Sequence, residues 1–247
     1  MKLIFLGTNG WFSTNAGNTS CALVESEKYY IIFDAGDGLY KLNKYIKKEK
    51  PVYLFLSHLH LDHIIGLHSL ILFTNKSGLK IYLPKGTKKF LEKIIDHPYA
   101  LPFKDMSLKV SVNELSEGCH KLPFEVECRK LQHVDMDFGY RILLEGKTIV
   151  YCSDTGVCDN SFVLSQNADV LIHECSNREG HSSGSWGHVN PKEAAELAKK
   201  ANVKKLFFTH FSGRDYANKK DKKTAQKIAK KIFKNTISGE DGMVIDL

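Results

Sequence analysis

Apolar residues along this chain fall in short runs bounded by turn or polar residues. Leu3-Ile4-Phe5-Leu6 stops at Gly7, Val52-Tyr53-Leu54-Phe55-Leu56 at Ser57, Thr148-Ile149-Val150-Tyr151-Cys152 at Ser153, and Leu206-Phe207-Phe208 before Thr209 and His210. Runs of this length without alternation predict strands buried on both faces. The pattern places strands at 2 to 6, 20 to 25, 29 to 33, 52 to 57, 80 to 83, 108 to 114, 124 to 132, 139 to 145 and 148 to 152. Helices are expected at about 38 to 48, at 86 to 96, and from residue 62 onward, where Ile64, Ile65, Leu67, Leu70 and Ile71 are spaced for one apolar face. Two sheets with helices outside both account for this order.

Two further helices carry local signatures. Asn190 is a good N-cap, Pro191 suits the first helical position, Glu193 sits where a capping-box acid belongs, and Ala194, Leu197, Ala198 and Ala201 form an apolar stripe. From Lys219 to Lys234 the chain is dense in lysine, and Ala225, Ile228, Ala229 and Ile232 give it the pattern of an amphipathic helix with a solvated basic face.

A chain of 247 residues with 43% hydrophobic content can bury a full core, and it shows no linker, repeat or low-complexity tract, so residues 1–247 are read as a single domain. Lys2 is followed by only four apolar residues before Gly7, too few for a secretory signal, and no apolar stretch reaches the length of about 18 residues needed to span a membrane. The six cysteines have no paired spacing, and Cys128 and Cys152 fall in strand-like runs as small buried hydrophobes. A cytoplasmic, reduced protein without a membrane partner is expected. The net charge of +7 invites a nucleic-acid partner, but the basic residues are 31 Lys to 4 Arg, and base and phosphate recognition favours the bidentate Arg fork.

The candidate chemistry is concentrated at the strand ends. Ser57-His58-Leu59-His60-Leu61-Asp62-His63 places three imidazoles and a carboxylate at the end of an apolar run, more ligand-type groups than a core tolerates unpaired. His58 and His60 are two apart, so on an extended stretch they project the same way, whereas Asp62 and His63 follow where a helix begins and are aimed at a second position. His133 closes the segment 124 to 132, Asp154 follows Cys152, and His210 follows the run at 206 to 208. Each is a ligand-type residue where loops collect functional groups over a rigid sheet.

The string SHLHLDH, followed in order by His133, Asp154 and His210, resembles the metallo-β-lactamase superfamily of binuclear metallohydrolases, as do Leu3 to Thr8, Phe33-Asp34-Ala35-Gly36 and Glu240-Asp241-Gly242-Met243. The resemblance implies an α/β, four-layer αββα sandwich. It also implies two divalent metal ions, with His58, His60 and His133 on one, Asp62, His63 and His210 on the other, and Asp154 between them. Nitrogen and oxygen donors without thiolate suit Zn2+, and Mn2+ or Fe2+ fit the same shell. Redox di-iron relatives carry a glutamate where this chain has His60, so hydrolysis is expected.

The stretch from Gly187 through Arg214 further resembles ribonuclease Z and its small phosphodiesterase relatives. That likeness implies that His188 protonates the leaving group, that Glu174 holds its tautomer, and that Ser212 and Arg214 contact phosphate, although Asp215 stands where ribonuclease Z usually continues with Tyr. Bacterial ribonuclease Z inserts a long tRNA-gripping arm between the third metal histidine and the bridging aspartate, whereas His133 and Asp154 are too close in sequence to contain one. The expectation is therefore a phosphodiesterase using a metal-bridging hydroxide on a small or cyclic phosphodiester. A ribonuclease Z-type tRNA 3′ endonuclease and a thioester or β-lactam hydrolase on the same metals are the alternatives. A nucleic-acid-binding factor with a vestigial site is disfavoured by the intact ligand set, and a homodimer is compatible with the sequence.

Overall fold

The structure, a computed structural model, describes residues 1–181 and 184–247. One seven-stranded sheet runs in the order Val244–Asp246, Lys2–Gly7, Cys21–Glu25, Tyr30–Phe33, Val52–Phe55, Leu79–Pro84 and Val110–Leu115. The other, also seven-stranded, runs Thr236–Ser238, Lys205–Thr209, Val170–Glu174, Lys147–Cys152, Phe138–Leu144, Glu125–Lys130 and Gly118–Lys121.

Side-chain parity explains why the runs lack alternation. Leu3, Phe5, Phe33 and Phe55 point to one side of the first sheet and meet Tyr140, Ile142, Tyr151, Ile172 and Phe207 from the second, forming the core between the sheets. Their neighbours Ile4, Leu6, Ile32 and Leu54 point the other way and pack on Leu39, Leu42, Leu67 and Leu70. On the far face of the second sheet, Val150, Leu171, Leu206 and Phe208 are covered by Ala194, Ala198, Ala225 and Ala229 from the helices Pro191–Lys200 and Lys219–Lys230. With both faces of the central strands buried, those strands need apolar side chains on both sides, and four layers result.

The first helical signature is realised as expected. The Asn190 side chain accepts from the backbone N–H groups of Lys192 and Glu193, and Glu193 accepts from the Asn190 N–H.

Three local expectations are corrected. The helix expected at 38 to 48 is a 3₁₀ turn, Asp37–Lys41, followed by one α-turn, Leu42–Tyr45. The Lys41 ammonium turns inward to the Leu6 carbonyl and the Asp241 carboxylate, and Pro51 lies close downstream of a charged run. After Leu61–Ile64 the motif helix continues as the 3₁₀ segment Ile65–Leu72. Its period of three buries Ile64, Leu67 and Leu70, and turns Ile65 and Ile71 to solvent. Finally, Gly118–Lys121 is an edge strand too polar to be foreseen, and Lys222, one of the lysines assigned to a solvated face, is fully buried. Among the described residues no helix is long and apolar enough to cross a membrane.

In the second sheet the strands from Lys147–Cys152 to Thr236–Ser238 are parallel, as are those from Tyr30–Phe33 to Val110–Leu115 in the first. Their carboxyl ends share one edge of the sandwich, where open α/β sheets gather their ligands.

Candidate metal centre and its cavity

All seven strand-end donors converge at that edge. His58, His60, His133 and Asp154 form one group whose ligand atoms lie within 4.8 Å of one another, and Asp62, His63 and His210 form a second. Asp154 faces both groups: its Oδ2 is 4.0 Å from His58 Nε2, and its Oδ1 is 3.4 Å from His63 Nε2 and 3.0 Å from His210 Nε2. Around the second group the remaining separations are 3.1 Å from His210 Nε2 to Asp62 Oδ2, 3.4 Å from His63 Nε2 to Asp62 Oδ2 and 3.1 Å between the two Nε2 atoms.

Hydrogen positions follow from the outer partners. His63 Nδ1 donates to Asp34 Oδ2 at 2.7 Å, which leaves a bare lone pair on its Nε2. Ser176 Oγ donates to the His210 carbonyl at 2.7 Å and so accepts from His210 Nδ1 at 2.8 Å, again baring Nε2. His60 Nε2 donates to Asp135 at 2.7 Å, which turns its Nδ1 to His133 Nε2 at 3.4 Å. His58 Nδ1 lies 3.0 Å from both Ser57 Oγ and Asp137 Oδ2, and its buried Nε2 has no hydrogen-bond partner among the described residues.

With these neutral tautomers, lone pairs face lone pairs and carboxylates, a repulsion that a bound cation relieves. Separations of 3.0 to 3.4 Å also match the edge of a tetrahedron whose metal–ligand bonds are about 2.0 to 2.1 Å. The residues fit divalent ions.

Proton affinities report the same field. Burial pushes Asp154 upward, yet His210 and His63 hold it well below the usual carboxylate range, and Asp62 is likewise drawn down by His63 and His210 against the effect of its burial. Burial alone would lower His63, but Asp62, Asp154 and Asp34 hold it well above an ordinary imidazole. Burial, reinforced by His63, drives His58 well below the ordinary value, and burial with Asp154 and Asp34 drives the Asp137 carboxyl well above its own.

The structure places Glu174 and His188 together. The Glu174 carboxylate, fully buried, accepts from the backbone N–H groups of Thr155 and Ser176 and lies 2.8 Å from His188 Nδ1. Burial lowers the His188 pKa, but Glu174 more than offsets it, and the imidazole is raised to about 9. His188 is also within ligand-atom reach of Asp154 and His210. A cavity of about 950 Å³ opens over these groups, lined by Trp11, Phe12, Trp186, Ser212 and Arg214 among others. Ser212 is partly buried, and Arg214 keeps its side chain 70% exposed beside Asp215.

Sequence reasoning missed the outer partners. Asp34 Oδ2 takes the Tyr151 hydroxyl at 2.6 Å and Ser57 Oγ at 2.9 Å as well as His63, while its Oδ1 takes the Ser57 N–H at 2.7 Å. Its φ of 55° breaks the strand and turns the carboxylate under the motif. The available signal was a carboxylate closing the apolar run 31 to 33. Asp135 and Asp137, close behind His133, offered none beyond proximity.

Residues 29–211 match the family described as the Beta-lactamase superfamily domain. The chain belongs to that superfamily. It is 27% identical, over an alignment 308 positions long, to the ribonuclease Z of Archaeoglobus fulgidus, with 100% of this chain and 97% of the relative covered. The metallo-β-lactamase fold protein YhfI from Bacillus subtilis superposes with a TM-score of 0.82 at 26% identity, covering 99% of each chain. The short form of human tRNase Z superposes with a TM-score of 0.78 at 25% identity, covering 100% of this chain and 99% of that one. With two large sheets, outer helices and these relatives, the superfamily member has the metallo-β-lactamase fold and is a metal-dependent hydrolase.

Proposed function

We propose that residues 1–247 act as one cytoplasmic hydrolase domain that cleaves a compact phosphodiester, small or cyclic, with two zinc ions held by His58, His60, His133, Asp154, Asp62, His63 and His210. Manganese or iron(II) suits the same donors, and the six free cysteines suit a reducing compartment. Divalent ions in this shell would acidify a water and withdraw charge from the phosphate oxygens.

The observation that carries the proposal is the His188–Glu174 pair. Glu174 fixes the proton on Nδ1 of His188, which lines the cavity, and an imidazole raised to about 9 carries a proton at neutral pH for a departing alkoxide. A thiolate leaves without such help, so the pair favours an oxygen ester over a thioester. Ser212 and Arg214 line the same cavity, within reach of phosphate oxygens. Asp62 orients the nucleophile's side of the site: it accepts the Trp11 N–H at 2.6 Å and faces His210.

Compactness of the substrate is supported by the chain between His133 and Asp154. Phe138–Leu144 and Lys147–Cys152 pair closely as a hairpin, and Glu145 and Gly146 alone connect them with φ of 50° and 77°. The alignment to the archaeal ribonuclease Z is 308 positions long, so at least 61 of its positions (308 less 247) have no counterpart here. A homodimer remains compatible with this arrangement.

The test is turnover of bis-p-nitrophenyl phosphate, a small cyclic phosphate, 3′-extended tRNA and a thioester by the purified protein. The first two should be hydrolysed, and the tRNA should not be trimmed site-specifically at physiological ionic strength. Accurate cleavage at the discriminator nucleotide overturns the substrate size in favour of a ribonuclease Z, and faster thioester hydrolysis overturns the reaction class.

A further inference from the structure

Lys222 lies on the helix Lys219–Lys230, whose other lysines are partly or fully exposed, yet it has no solvent-accessible surface. Its ammonium donates to Thr8 Oγ1 at 2.9 Å, Asn9 Oδ1 at 2.7 Å and the Ala16 carbonyl at 3.2 Å, which uses all three of its hydrogens. The same Nζ sits 5.0 Å from the centre of the Phe211 ring. Burial draws its pKa down to about 8, with Asp241 and Glu240 opposing, so it remains charged at neutral pH. Taking a charge out of water is costly, and its hydrogen bonds offset that cost rather than adding a large net stability. Its contribution is to be sought in what it orients.

The three acceptors belong to one loop. Thr8 Oγ1 also donates to Asp241 Oδ1 at 2.9 Å, and Asn9 Nδ2 donates to Thr14 Oγ1 at 2.9 Å, so both ends of the loop are tied through the same centre. Between them, Asn9 and Gly10 pair in parallel with Phe211 and Ser212, immediately after His210. Gly10 lies so close to the His210 ring that an added Cβ would come within 2.4 Å of it. Trp11 then donates its N–H to Asp62 Oδ2 at 2.6 Å. One loop thus contacts both His210 and Asp62, and carries Trp11 and Phe12 into the cavity wall.

We infer that Lys222 is a positioning residue that locks the 8–16 loop so that Asp62 and His210 are held at the separation a metal ion requires. The inference rests on Asp62, His63 and His210 forming one metal site. Loss of the ammonium releases the loop, loosens that site alone, and leaves the half built from His58, His60 and His133 as it was.

The test compares zinc stoichiometry and chelator-competition affinities of the full chain with those of Lys222→Met and, as a reference lacking the second site, His210→Ala. Lys222→Met should keep one ion at wild-type affinity, bind the other about tenfold or more weakly, and show a raised KM for bis-p-nitrophenyl phosphate. Its cobalt(II)-loaded absorption at limiting metal should match that of His210→Ala. Thermal melting of the metal-free proteins tracks folding separately: Lys222→Met should keep one cooperative transition, at a midpoint a few degrees lower because Thr8, Asn9 and Ala16 lose their donor. Two ions bound at unchanged affinity overturn the inference. If Lys222→Met fails to fold, Thr8→Val decides, since it removes one acceptor without an unpaired charge: a several-fold weaker second ion supports the inference and unchanged affinity overturns it. A wild-type protein that binds no second ion overturns the metal-site reading itself, and the inference with it.

Discussion

The two halves of the metal centre are built on different supports. His63 and His210 are buried and are fixed by Asp34, Tyr151 and Ser176, themselves in the interior. On the other side His58 is buried beside Asp137, but His60 is 30% exposed and is held by Asp135, which is 65% exposed. A hydrogen bond between buried partners has no water to compete with, whereas an exposed one does. The Asp62 half should therefore hold its ion tightly in a fixed geometry, and the His60 half should exchange its ion more readily.

The largest test removes the residue common to both. Asp154→Ala should abolish nearly all turnover, on the order of 10⁴-fold or more, and elemental analysis should find both ions depleted. A metal-free but active protein would break the whole scheme.

Next, His188→Ala separates proton delivery from metal binding. Turnover of a diester with a poor leaving group should fall about 10²- to 10³-fold, metal content should stay the same, and the deficit should shrink with p-nitrophenolate. Equal losses for good and poor leaving groups would falsify the assignment. The pH profile gives an independent check. Because Glu174 raises His188 to about 9, its contribution to stability is complete below the unfolded imidazole's pKa of about 6.5 and is lost as pH rises through 9. Activity on poor leaving groups should decline over the same rise, and the variant should lack that limb.

Asp34→Asn then addresses the buried support directly. A carboxamide cannot accept from His63, Tyr151 and Ser57 as the carboxylate does, so the ion beside His63 should bind about 10- to 100-fold more weakly while the other is retained. Asp135→Asn is the matching change on the exposed side, and its effect on the His60 half should be smaller, below about tenfold. If the two variants weaken binding equally, burial of the support does not distinguish the halves. The smallest effect belongs to Asn190→Ala, which removes the cap of the helix behind His188. It should cost about 1 kcal/mol in denaturant unfolding and leave both metal affinities unchanged.

How far the site was legible depends on whether its signal is local. His58, His60, His63, Asp154 and His210 each follow an apolar run, and the strand's direction carries them to the same edge whatever the rest of the chain does. The cap at Asn190 is equally local, since its partners are Lys192 and Glu193. Lys222 is the instructive failure: it precedes Ala225 and Ala229 by three and seven positions, and so sits on the helix's buried stripe, but its charge and the surrounding lysines pointed to solvent.

Sequence by itself pointed to two sheets with helices outside, because short apolar runs bounded by turn residues suit strands covered on both faces, and the resemblance carried by the strand-end motifs implied the four-layer sandwich. It also set the donor types at the strand ends, because no core accepts so many imidazoles and carboxylates without a cation. Tertiary structure alone decided which acidic residues became supports and which stayed solvated, because Asp34, Asp135 and Asp137 are distinguished only by what packs around them. It decided as well that the motif helix runs with a period of three, and that a lysine on one helix and a loop near the amino terminus meet behind Asp62 and His210. Contacts between residues more than two hundred positions apart, such as Lys222 with Thr8, depend on how the layers close, and no local pattern encodes that closure.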